Sequence, residues 1–366
     1  MKKHYYLGLN ARRRHAWRHL FMIGKKADYT ALEEALASRY GGTAVLYKNG
    51  RTGLAAVLKA YFNRGDGIIV NGFTCYAVVE AVKEAGLTPI YADIDRDTLN
   101  YNTAALDAAF KASSKIVSGV IVQNTLGIPV DISEVERFAA KHGLMIIEDL
   151  AHSVGVKYTD GREAGTVGAA TILSFGKDKA VDTISGGAAI FRYPCKGRIK
   201  APAVLPQKSD ALRARFYPLF AGMVRGLTYI HLGGVLMRIL LKLRFVERSA
   251  DNALDMKRTM TKAQAKEALK ELSHAQGVDR EFYLVNDREK CLMELKKAGY
   301  HFAGYWYEKP ISPERYYAAA HFPEEHCPEA VFVSEHIINL PTFYRPEELK
   351  EARRIIKKYM IRGKNG

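Results

Sequence analysis

Between residues 67 and 147 the chain alternates short apolar runs with stretches of helical periodicity, and this alternation constrains the fold more than any other feature. The runs at 67–70, 88–92, 118–123 and 144–147 are short and bounded by turn residues, so they read as strands. Between them, 76–85, 102–109 and 132–142 carry apolar residues at helical spacing, with Gly86 and Gly143 closing two of them. Strands joined by helices of about ten residues make βαβ units and a largely parallel sheet. Helices at 32–37 and 53–62 come first. Two further strands, 171–174 and 188–192, flank the polar turn GKDKAVDTISGG.

A long helical section begins at 211, and 262–272 (KAQAKEALKEL) is its clearest helix, with Thr259 or Thr261 placed to cap it. The tail reads as a helix at 288–298, strands near Phe302 and at 330–338, and a closing basic helix at 346–360. The expected organisation is a basic arm (1–26), a large α/β domain (27–255) and a smaller α+β domain (256–366). A chain of 366 residues holds about two domains.

Charge narrows the partners. Lys and Arg number 55 against 39 Asp and Glu, a net +16 that favours anionic ligands or surfaces. No recognised nucleic-acid module accompanies it, so nucleic acid is not an expected partner. Cys75, Cys195, Cys291 and Cys327 lie far apart without a CxxC, which indicates neither a disulfide framework nor a thiolate metal site. The first residues have no apolar leader core, so the expected location is the cytoplasm. Within the arm, Arg12, Arg13, Arg14, Trp17 and Arg18 form a basic cluster.

The segment 216–246 is the most apolar of the chain, and its only charges, Arg225, Arg238, Lys242 and Arg244, are all positive. Its longest uncharged run, 226–237, is too short to span a bilayer. Two readings remain: a helical pair or broken helix buried on a domain or subunit interface, with outward-reaching cationic stems, or an element lying in an anionic lipid interface.

Several local signals fall at strand ends, where ligands sit in α/β sheets. Gly50, Arg51 and Thr52 open a helix and offer backbone N–H groups, a guanidinium and a hydroxyl to a phosphate, although an ordinary N-cap would read the same way. MIIED ends an apolar strand in Glu148 and Asp149, and a carboxylate there can pair with a protonated ring nitrogen, the alternative being a solvated turn. Ser174 and Lys179 bracket a tight turn in which a lysine could hold an aldehyde cofactor as a Schiff base and a serine its phosphate.

The order of TCYAVVEAVKEAGLTPIYADIDRDTLNYN, VQNTLGIPVDI, MIIEDLAHSVG, GREAGTVGAA, SFGKDKAVDTISGG and NLPTF resembles the DegT/DnrJ/EryC1/StrS group, pyridoxal 5'-phosphate (PLP) aminotransferases of fold type I. The resemblance implies a PLP site with Lys179 as the Schiff-base lysine, Asp149 on the pyridine nitrogen, His152 near the cofactor's O3′ and Ser174 on its phosphate. Gly50, Arg51 and Thr52 then form the phosphate turn. Cys75 occupies the place of the usual ring-stacking aromatic, with Phe73 or Tyr76 as substitutes. Ile184 stands where the family has glycine, so that backbone position is expected to change conformation or relax. Lys257 and Arg258 fall where the family contacts the partner subunit's phosphate, which implies a homodimer. The implied reaction moves an amino group from an amino acid, usually L-glutamate, to a phosphorylated small-molecule acceptor, a nucleotide-linked keto sugar. A lipid-linked acceptor and a non-catalytic anionic-surface protein are the alternatives. The resemblance fades over 201–255, on the substrate side, and that segment brings in peripheral contact with an anionic membrane. No metal is implied.

Overall fold

A computed structural model describes residues 29–361 except 178, 196–198, 200, 229, 247–252, 279 and 343. The basic arm expected at 1–26 lies outside the described residues. Among the described residues one sheet has seven strands: β1 (Thr43–Tyr47), β2 (Gly67–Asn71), β3 (Thr88–Ala92), β4 (Val117–Gln123), β5 (Met145–Asp149), β6 (Ala170–Ser174) and β7 (Gly187–Phe191), in the order β1-β7-β6-β5-β4-β2-β3. The five strands from β3 to β6 run parallel, and β7 is antiparallel to both of its neighbours. This is the expected α/β architecture with a mostly parallel sheet.

Helices α1 (Tyr29–Tyr40), α2 (Gly50–Tyr61), α3 (Tyr76–Glu84), α4 (Thr103–Ala112) and α5 (Ile132–His142) cover the sheet. Two apolar clusters fill the space around it, one including Leu54, Ile68 and Ile121 and the other Leu36, Val120 and Phe138. Each strand therefore buries both faces, as a parallel sheet requires.

Beyond β7 come α6 (Lys208–Thr228), α7 (Gly233–Lys242) and α8 (Lys262–Leu272). The apolar cationic stretch is thus a helical pair, α6 continuing past Pro218 and turning back near Gly233, where a Cβ would lie 2.4 Å from the Val224 carbonyl. Helix α8 starts at a capping box between Thr261 and Gln264, and its Ala265, Ala268 and Leu272 join the large core. A separate small core gathers Val285, Cys291, Leu295, Ile338 and Ile356. It unites β8 (Arg280–Leu284), α9 (Arg288–Lys297), β9 (Ile337–Pro341) and α11 (Pro346–Lys357).

Two expectations fail in the tail. Residues 330–336, expected as strand, belong to helix α10 (Pro328–His336), and Phe302 lies in a turn. The Asp93 carboxylate accepts the backbone N–H groups of Glu329 and Ala330 at 3.1 and 2.9 Å, so a residue just after β3 caps this helix, whose Ala330 and Val333 join a core of the large sheet.

Candidate active site

The C-terminal ends of β5 and β6 and the N-terminus of α2 meet at one cavity of about 230 Å³, lined among others by Gly50, Asp149, His152, Ser174 and Lys179. Local chemistry fixes the start of α2. Asn49 caps it, its Oδ1 accepting from the Thr52 amide and hydroxyl, both at 2.8 Å. Gly50 is there because α2 approaches β6 closely: a Cβ on it would sit 2.8 Å from the Ser174 Cβ. The amides of the first helical turn thus open beside Ser174, an anion-binding arrangement.

Asp149 is buried, and burial pushes its carboxyl up to about 6, against the lowering effects of the Ala151 amide and the Lys179 charge. His152 is also buried, and that burial holds its imidazole well below the ordinary value, with the Lys179 and Arg280 charges acting in the same direction. Its Nδ1 accepts the Leu126 N–H at 3.2 Å, so the neutral ring carries its proton on Nε2. Lys179 Nζ lies 5.3 Å from the Trp306 ring centroid, and the His152 ring lies 4.6 Å from the same indole. Lys177 also lines the cavity, but its Nζ sits 4.2 Å from the Tyr217 centroid on the outer side.

Not every expected residue reaches the cavity. Gly50, Arg51, Cys75, Asp149, His152, Ser174 and Lys179 line it. Thr52 does not: its hydroxyl donates to Asn49 and accepts the Asp255 N–H at 3.2 Å, so it holds the helix start instead of offering a free hydroxyl. Tyr76 does not either, since its ring stacks on Tyr316 at 4.8 Å. Phe73 is buried edge-on against Tyr307. Lys257 and Arg258 lie outside the cavity, with Arg258 paired to Asp255 at 2.9 Å. The Glu-Asp pair is no solvated turn, since both carboxylates are buried and Glu148 faces away from the cavity into a nest of donors. Ile184 has a φ of 73°, in the left-handed region that suits glycine, at a cost of about 1–2 kcal/mol for an L-residue.

Sequence reasoning missed the opposite wall. Trp306 and Tyr307 arrive from the segment after α9, and Lys48, Asp210, Arg213 and Tyr217 close the outer end. Trp306 follows no local pattern. Only its contact with His152 reveals it.

These residues fit PLP. A helix N-terminus with Ser174 suits a phosphate, a buried carboxylate lies in the same cavity, and a lysine and a neutral histidine share an indole between them. A family profile described as the DegT/DnrJ/EryC1/StrS aminotransferase family matches residues 14–359. The chain belongs to that family. PLP is the cofactor of this DegT-family chain, and its fold is the fold type I transferase fold.

A DegT DnrJ EryC1 StrS aminotransferase from Brucella abortus has the same fold, with 18% identity, a TM-score of 0.68 and coverage of 97% of this chain and 99% of that one. The PLP form of Spr1654 from Streptococcus pneumoniae follows at 17% identity and TM-score 0.66, covering 97% and 98%. In sequence, the L-glutamine:2-deoxy-scyllo-inosose aminotransferase of Streptomyces kanamyceticus is 29% identical over 188 residues, 51% of this chain and 39% of that protein. The match thus spans well under half of that relative's length. Among the described residues no helix is long and apolar enough to cross a membrane.

The raised Asp149 carboxyl gives a pH prediction for this DegT-family protein. Its folded value of about 6 lies above the unfolded one of about 3.9, so in the cofactor-free protein its contribution to stability is present at low pH and is lost as pH rises through about 6. A ring cation paired with it favours the ionised form. The affinity of the cofactor-free protein for PLP should therefore rise between about pH 5 and 7, and rise less steeply in Asp149→Asn. Fluorescence titration at several pH values checks this, and parallel slopes in the two proteins would refute it.

Proposed function

We propose that the protein transfers an amino group from L-glutamate to the keto group of a phosphorylated sugar, a nucleotide-linked one. The observation that carries this reading is the composition of the cavity. Five cations, Lys48, Arg51, Lys177, Lys179 and Arg213, line it with two carboxylates, Asp149 and Asp210, and a third carboxylate, Glu80, pairs with the Arg51 guanidinium from outside the lining. One anionic group would sit at the α2 N-terminus, and Lys48, Lys177 and Arg213 against the single carboxylate of Asp210 would suit a second. Lys48 and Arg213 both pair with Asp210, at 3.2 and 3.4 Å, so that carboxylate holds two side chains ready for an anion.

When bound, the cofactor supplies an electron sink for the bond broken at the donor's Cα. Lys179 would hold its aldehyde carbon and, once displaced by the donor, carry the proton away from Cα as general base. Asp149 would keep the ring nitrogen protonated from a position already desolvated. His152, neutral and with Nε2–H available, would donate a hydrogen bond without adding charge. Ser174 and the first amides of α2 would fix the phosphate, and the Trp306 indole would shield Lys179 from water. The reading includes a homodimer, in which Lys257, outside its own cavity, would reach a partner's phosphate, while Arg258 is engaged by Asp255 and the Leu205 carbonyl.

Absorption spectra of the purified holoenzyme test the reaction. Addition of L-glutamate should convert the PLP form to the pyridoxamine phosphate form, and a nucleotide-linked keto sugar should reverse the change. The Streptomyces kanamyceticus relative is named for L-glutamine, so that amino acid is the second donor to titrate. Absence of any spectral change with both donors would exclude the assignment.

A further inference from the structure

The hairpin of α6 and α7 has two unlike sides. Its inner side carries Tyr217, Ala221, Val224, Met237 and Leu240, which pack together, and Tyr217 also lines the cavity. On the outer side of α6, Leu212, Phe216, Leu219 and Met223 are exposed at helical spacing and form one stripe. On α7, Val235 and Ile239 continue into Leu243 as a second stripe, and the exposed Arg238 and Lys242 run along its flank. Phe220 joins the two, with ring centroids 6.5 Å from Phe216 and 5.8 Å from Phe245.

Such a large exposed apolar surface marks a docking site, and its charge selects the occupant. From residue 211 to 246 there are six Lys and Arg and no Asp or Glu. A second copy applied to this face would bring cations against cations. An anionic lipid surface complements them instead, taking the apolar side chains below the headgroups while Arg238, Lys242 and Arg244 reach phosphates. Helix α7, with 10 residues, spans about 15 Å, half of a hydrocarbon core, so it can lie in the surface and cannot cross it.

We infer that the α6–α7 hairpin docks this protein on anionic phospholipid, with the apolar stripes of residues 212–245 in the interface and Arg238 and Lys242 on the headgroups. Because Asp210, Arg213, Tyr217, Phe245 and Val246 also line the cavity, docking sets the outer end of the site close to the lipid surface.

Co-sedimentation of the full-length holoenzyme with vesicles tests this without reading activity, so it stands or falls apart from the proposed reaction. The probes are vesicles of phosphatidylcholine alone and of phosphatidylcholine mixed with phosphatidylglycerol. The mixed vesicles should bind at low ionic strength and release the protein in salt, and the neutral ones should bind far less. Arg238→Glu with Lys242→Glu should lower the partition coefficient at least about 30-fold, the loss expected of two cations near an anionic surface. Ile239→Ser, also exposed, should weaken it without changing charge. A chain lacking residues 1 to 20 should still bind. Three results would overturn the inference: no binding to mixed vesicles at low salt, binding lost with residues 1 to 20 but kept in the double charge reversal, or vesicle-independent halving of the sedimenting mass in Ile239→Ser, which would identify a second copy as the occupant.

Discussion

Replacing Lys179 by alanine should lower kcat by about 10⁴-fold, the upper end of what a positioned acid–base group contributes, because in the proposed reaction one side chain would both hold the cofactor and move the proton. The neighbouring Lys177 is the internal control. Both lysines line the cavity, but the Lys179 charge is the one that acts on Asp149 and His152, whereas Lys177 lies against Tyr217 at the outer end. Borohydride reduction of the holoenzyme followed by peptide mapping should place the pyridoxyl group on Lys179 in both the wild type and Lys177→Ala. An adduct on Lys177, or a Lys179→Ala protein with near-normal turnover, would show that the turn is registered differently.

The second large effect concerns stability and falls on the residue beside Asp149. Glu148 is fully buried, and its two oxygens accept five hydrogen bonds, from the Tyr158 hydroxyl, the amides of Gly165, Val167 and Gly168, and Arg192 Nη2 at 3.1 Å. Alanine there would leave the partly buried Arg192 guanidinium without its anion and three amides without their acceptor. Glu148→Ala should therefore destabilise the protein by about 3–5 kcal/mol, as expected when one partner of a buried pair is removed. Urea unfolding measures it, and a loss below about 1 kcal/mol would mean that water replaces the carboxylate.

That pair of carboxylates shows what could be read from sequence and what could not. MIIED identifies a buried strand ending at a site, because apolar periodicity is a local property. Alternation along the strand sends adjacent side chains to opposite faces, so one carboxylate faces the cavity and the other the GREAGTVGAA loop. Which ligand each meets depends on residues far along the chain. The start of α10 was illegible for the same reason, since its cap is Asp93, more than 230 residues away. The β-branched run that follows looks like strand without it. Thr52 and Tyr76 carried plausible chemistry at the right positions, yet Asp255 and Tyr316, both remote in sequence, engage them elsewhere. Helix α8, with its capping box entirely within Thr261–Gln264, needed no such help.

Ile184 belongs to two parts of the molecule at once. Its backbone completes the turn that carries Lys179, held left-handed with its N–H on Asp182 at 2.9 Å. Its side chain packs against the α6–α7 cluster and lines the cavity. A glycine would remove that packing, and the turn would still meet the hairpin through Lys177 on the Tyr217 ring. A branched side chain reaching from the turn into the hairpin's apolar cluster joins the two by direct packing, beside the hydrogen bonds of Thr183 and Gln264 that hold the turn itself.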